Sequence, residues 1–106
     1  MVQIEKTHIK LTRGDTLVLN LAMSRGGIKF LPAEGDTITF TLKKKVKDAV
    51  PLITKNAVGT QIKLDPNDTK ALDFGDYVYD IAITYANEDV DTFVPMSVFT
   101  LAEEVG

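Results

Sequence analysis

The chain contains no cysteine and no tryptophan, and has one histidine, four prolines and three methionines in 106 residues. Without cysteine there is no disulfide, no thiolate metal site and no thiol nucleophile. His8 is the sole imidazole, which removes His-rich metal centres and any His–His pair. No apolar run approaches the roughly 18 residues needed to cross a bilayer. The start, Met1-Val2-Gln3-Ile4-Glu5-Lys6, has no basic region followed by an apolar stretch, so neither a secretory signal nor a membrane partner is expected. Fifteen acidic against twelve basic residues leave a net charge of −3, which disfavours nucleic acid, whose binding rests on a basic face. What remains is ordinary globular composition, 44 % hydrophobic and 25 % charged, in a length that suits one domain over residues 1–106.

The hydrophobic pattern is that of strands. Leu17, Leu19, Leu21 and Met23 alternate with polar or small residues; so do Ile38, Phe40 and Leu42, and Tyr77, Tyr79, Ile81, Ile83 and Tyr85. A period of two places one face in a core and the other in water, whereas on a helix the same residues would scatter around the circumference. Twelve threonines, many at outward positions, suit a pleated half-solvated surface. Weaker strands are expected over 2–10, 27–31, 50–55, 60–64 and 91–101. A bulge or bend is expected near Thr7-His8, where the apolar parity changes, and an edge position or bulge at Pro95. Turn signals (Arg13-Gly14-Asp15, Arg25-Gly26-Gly27, 32–36, Val58-Gly59, Asn87-Glu88-Asp89) separate the runs. Asp65 as N-cap and Pro66 in the first helical position predict one short helical turn near 66–72. Together these predict an all-β protein, an antiparallel β-sandwich of about 7–9 short strands.

Asp73-Phe74-Gly75-Asp76-Tyr77-Val78-Tyr79 resembles the Asp-x-Gly/Ala-x-Tyr-x-Cys run that opens strand F of immunoglobulin domains, with Tyr79 in the cysteine position. The resemblance implies an immunoglobulin-like sandwich and a tyrosine corner built from Asp73, Gly75 and Tyr77, the Tyr77 hydroxyl bonding back to upstream backbone. The two cysteines and the tryptophan of antibody-type domains are absent.

Little else signals chemistry. Asp65, Asp68, Asp73, Asp76, Asp80, Glu88, Asp89 and Asp91 crowd one stretch, but the spacing is not that of a calcium loop, and Asp65, Asp68 and Asp76 read as cap or turn residues. His8 reads as a solvated residue on an edge strand, and no Gly-x-Ser-x-Gly elbow surrounds Ser24 or Ser97. Lys43-Lys44-Lys45-Val46-Lys47 reads as a strand end protected from edge pairing, without the arginine or aromatic interleaving of a nucleic-acid site. Gly14-Asp15, Gly35-Asp36 and Gly75-Asp76 each precede an alternating run. There glycine supplies a tight bend and aspartate a local backbone bond, so Arg13-Gly14-Asp15 is a strand lead-in, not an integrin ligand. No catalytic residue, no metal ligand and no cofactor site is assigned, and no enzyme activity is expected.

The succession 11–16, 35–44, 65–69, 72–81, Thr92 and 99–105 resembles small proteins encoded among the tail genes of phages and prophages of Gram-positive bacteria. It is also similar to the immunoglobulin-like N-terminal domain of phage upper-baseplate proteins, without the long extension that follows there. The likeness implies a non-enzymatic virion structural module of a tail or baseplate, cytoplasmic in the bacterial host before assembly. Its partners would be other tail or baseplate proteins or copies of itself. Candidate interface residues are Ile28, Phe30, Leu31, Val94 and Met96, apolar groups near turns, together with the edge-forming 2–10 segment. A carbohydrate-binding or adhesion module on the same sandwich is the alternative; it would need exposed aromatic rings.

Overall fold

The computed structural model describes residues 2–5, 8–22, 24–25, 28–29 and 31–103. Thr7, Met23, Gly26, Gly27, Phe30 and Val105, singled out above, lie outside the described residues, as do the side chains of Val2, Ile4, Arg25, Lys29 and Phe93. Among the described residues ten strands and one helix follow in order: β1 Val2–Glu5, β2 His8–Thr12, β3 Leu17–Asn20, β4 Ser24–Arg25, β5 Ile28–Lys29, β6 Thr37–Lys43, β7 Ile53–Asn56, β8 Gln61–Leu64, α1 Pro66–Lys70, β9 Gly75–Thr84 and β10 Val90–Ala102. The alternating runs are buried on alternate residues, as the period of two demands.

Six strands form one sheet in the order β1-β2-β10-β9-β6-β7; β3 pairs with β8, and β4 with β5 in a minimal hairpin. The run β10-β9-β6-β7 follows the G-F-C-C′ order of variable-type immunoglobulin domains, and β3-β8 the B-E pair of the facing layer. Leu17, Leu19, Ile62 and Leu64 of the small layer pack on Ile9, Leu11, Ile38, Phe40, Leu42, Tyr79, Ile81, Phe99 and Leu101 of the large one. The centre is an aromatic triangle. Phe40 and Tyr79 stack at 5.4 Å between centroids, and Phe99 meets each edge-on at 6.2 Å. Tyr79, in the cysteine position of the immunoglobulin pattern, thus fills with a ring the place where a disulfide would stand.

The expected all-antiparallel arrangement needs correction. β2 and β10 run parallel, Ile9 opposite Phe99 and Thr12 opposite Ala102. The parity change near Thr7-His8 is no bulge within one strand. β1 and β2 are antiparallel, with Ile4 opposite Ile9 and Val2 opposite Leu11, so the chain reverses there and the odd–even switch follows. The outer strand is accordingly β1, and His8 to Lys10 lie inside the sheet. β6 is likewise no edge strand, being flanked by β9 and β7, so the lysines that follow it do not protect an edge. Pro95 does sit in an irregular stretch of β10. The register against β9 shifts between Thr92 and Val94 and again between Val94 and Ser97, which accommodates a residue without an N–H.

α1 forms where expected. Pro66 occupies the first turn, and the backbone N–H of the N-cap Asp65 donates to Asp68 Oδ2 at 2.7 Å. Asp68 also pairs with Lys55 of β7 at 3.1 Å. Thr69, fully buried, accepts the Gly14 N–H at 3.0 Å and ties the helix to the β2–β3 turn.

Candidate functional site

Glycine opens β9 because the chain must leave the α1 corner with φ +132 at Gly75, a region L side chains rarely adopt. Two residues on, Tyr77 is 4 % exposed, and its hydroxyl donates to the Asp73 carbonyl at 2.6 Å. This is the geometry of a tyrosine corner. The Lys44 ammonium lies 4.5 Å from the centre of the Tyr77 ring and donates to the Asp76 carbonyl at 3.1 Å, closing the corner from outside. Burial is the main cause that raises the Tyr77 pKa above its usual range, with the Asp73 charge adding to it and the backbone hydrogen bond opposing. The Tyr79 pKa is raised by burial against an opposing hydrogen bond with Ser97.

The three Gly-Asp pairs share a glycine of positive φ, +87 at Gly14, +91 at Gly35 and +132 at Gly75, but their aspartates diverge. Asp36 makes the expected local bond, accepting from Ala33 N–H, and also takes the Ala86 N–H, so that one carboxylate clasps two loops. Asp76 is no turn residue: it lies in β9, and its carboxylate accepts the Thr100 hydroxyl at 2.7 Å across the ladder. His8 Nε2 lies 2.8 Å from that same hydroxyl oxygen. Since Thr100 spends its one proton on Asp76, His8 donates through Nε2, so that nitrogen is not a base that activates the Thr100 hydroxyl. Arg13 is half-buried, donates to the Leu72 carbonyl at 3.3 Å and stacks over Phe74 at 4.2 Å. An arginine held in this way is poorly placed to reach a receptor.

Of the candidate interface residues, Ile28 is 74 % exposed, Met96 58 %, and Leu31 is also exposed, whereas Phe30 lies outside the described residues. Val94 needs correction: it is partly buried and packs on the core, because the register shift on either side of it turns it inward. Met96 borders a shallow groove of about 220 Å³ on the outer face of the large sheet, with Thr41, Lys43, Val46, Val78, Tyr79 and Asp80. Val98, two residues along β10, is also exposed. Val46, Val78 and Val98 escaped the sequence reading because single apolar residues at outward positions carry no periodic signal. A second, wider hollow of about 750 Å³ lies at the β9–β10 turn, lined by Asp36, Tyr85, Asn87, Asp89, Val90 and Asp91. Its carboxylates serve the local fold: Asp91 accepts from the Tyr85 hydroxyl, and Asp89 from the Asn87 amide. Among the described residues no group of three or more histidines, aspartates or glutamates is placed to hold a metal ion, and no helix is long and apolar enough to cross a membrane.

The site's geometry is therefore that of a sandwich whose apolar side chains break the surface on a sheet face and at loop ends. Comparison of the chain with protein-family profiles, with curated proteins and with solved structures found no match.

Proposed function

We propose that this chain is a non-enzymatic structural module of a phage or prophage tail or baseplate, working through protein–protein contacts and residing in the virion. The order of its strand-opening motifs supports the reading, as does the immunoglobulin-like topology those motifs produce. The observation that carries it is the exposure of Met96 and Val98 on the outer face of the large sheet, beside Val78 and Val46. Apolar groups exposed together on a sheet face suit burial against another protein surface. The carbohydrate-binding alternative needs aromatic rings stacked in the open. Tyr79 is 4 % exposed within the aromatic triangle, and the Tyr85 hydroxyl is tied to Asp91, which favours the assembly reading.

The test is incorporation. An epitope-tagged chain is expressed in cells producing the phage or prophage particle that encodes it, and purified particles are labelled with gold-conjugated antibody. Label at the tail or baseplate, lost in Met96→Asp/Val98→Asp, is expected; particles that assemble and infect normally without ever carrying the chain would overturn the proposal.

A further inference from the structure

The loop between β6 and β7 combines two kinds of exposed side chain. Val46, Val50 and Leu52 stand open to solvent, and Lys43, Lys45 and Lys47 share the same segment. Lys44 is turned away onto the Tyr77 ring and the Asp76 carbonyl. Asp48, the one acidic residue of the loop, shapes it by accepting the Lys45 N–H at 3.0 Å. The loop therefore combines exposed apolar groups with a net positive charge.

At the other end of β6 the composition is inverted. β6 runs beside β9 with Thr37 opposite Thr84 and Lys43 opposite Val78, so its ends lie about 20 Å apart at ~3.3 Å per residue. Segments 31–37 and 84–92 meet at the Thr37 end, joined by the Asp36 carboxylate to the Ala86 N–H. They contain Glu34, Asp36, Glu88, Asp89 and Asp91 and no lysine or arginine. Leu31 and Val90 are exposed among them. The ion pairs Lys55–Asp68 and Lys63–Asp65 lie outside both segments.

We infer that the Lys43–Leu52 loop of one copy docks on the Thr37 end of a second copy, so that molecules add head to tail. This rests on the assembly reading and names its partner. Opposite charge, with exposed apolar groups at both ends, lets them fit each other, whereas each end repels its own kind. The contact is heterologous, so it propagates as a chain or closes as a ring and does not stop at a two-fold dimer. Two loop-sized patches fall short of the ~1,200 Å² of a standard interface, so a single contact is weak. It gains strength where copies are held close together.

Sedimentation velocity of the full chain over a concentration series tests this at ionic strengths of about 0.01 M and 1 M, where the screening length is ~30 Å and ~3 Å. At low salt the weight-average mass should climb with concentration past the dimer, and at high salt it should return to the monomer. Lys45→Glu/Lys47→Glu and Glu34→Lys/Glu88→Lys, all at exposed positions, should each stay monomeric with unchanged circular dichroism. Mixed in equal amounts they should form a heterodimer, because the first variant keeps its acidic end and the second keeps its basic loop. Should a double variant misfold, Lys47→Glu and Glu34→Lys singly carry the same test. A monomer under all conditions, a salt-insensitive dimer, or a mixture that stays monomeric would overturn the inference. If such a chain still labels particles, the assembly reading stands and self-association alone is wrong. A salt-insensitive dimer lost in Met96→Asp would assign the contact to the sheet face.

Discussion

Replacing Tyr77 by phenylalanine removes one oxygen and leaves everything else at the corner. The ring stays in the core and the Lys44 ammonium still covers it. What disappears is the hydrogen bond to the Asp73 carbonyl, 2.6 Å long. A neutral bond of this kind contributes about 1 kcal/mol net, and a buried acceptor left bare would raise the cost to ~3 kcal/mol. Asp73 is exposed, so water can reach its carbonyl after the hydroxyl is gone, and the lower figure applies. For a domain of about 100 residues this lowers the melting temperature by ~4–8 °C. Urea unfolding should show a lower midpoint with an unchanged slope, since no additional surface is exposed. Asp73→Ala supplies the control: it keeps the backbone carbonyl and should retain most of the stability lost in Tyr77→Phe. A Tyr77→Phe protein that melts with the wild type, or an Asp73→Ala protein that falls as far as Tyr77→Phe, would refute the assignment of the stability to this bond.

Tyr77 and Tyr79 both have pKa values raised above the ordinary 10.0 in the folded state. Their contribution is complete below pH 10 and is lost as pH rises through the folded values, because the unfolded chain releases these protons first. Alkaline unfolding followed calorimetrically should show a shallower decline in Tyr79→Phe. Thr69→Val, close in shape, removes the acceptor of the Gly14 N–H in a fully buried position and should cost about 1–3 kcal/mol in denaturant titration. Gly75→Ala forces a side chain to φ +132 and should destabilise by more than ~1 kcal/mol, although the space meets nothing closer than the Lys44 Nζ at 3.5 Å. Met96→Asp, on the surface, should change stability by no more than ~0.5 kcal/mol while reducing incorporation into particles.

The strongest strands were legible because their signal is local. In 37–43 and 75–84 every second residue is apolar, and those residues are the buried ones. The corner was legible for the same reason, since Gly75 and Tyr77 act within four residues of Asp73. Lateral neighbours were not. Whether a strand lies at an edge depends on pairings tens of residues distant, so His8 and the lysines after Thr41 were placed at edges that the sheet order assigns elsewhere. Val94 failed differently. Simple alternation cannot place a residue between two register shifts, and a stretch that includes Pro95 breaks the count. The outer face stayed hidden because Val78 and Val98 are apolar residues at polar positions, a pattern whose meaning depends on what lies beside them in space.

The parallel union of β2 with β10 joins residues about ninety positions apart, Ile9 with Phe99 and Leu11 with Leu101. Closing so long a loop is the entropically dearest step in the sheet, and it can happen only once the last strand exists. A nascent chain emerging from the ribosome would therefore hold β2 and β9 with bare hydrogen-bonding rims until residues 99–102 arrive. During that interval, kinetic partitioning between zipping shut and sticking to a neighbour decides the yield of native molecules.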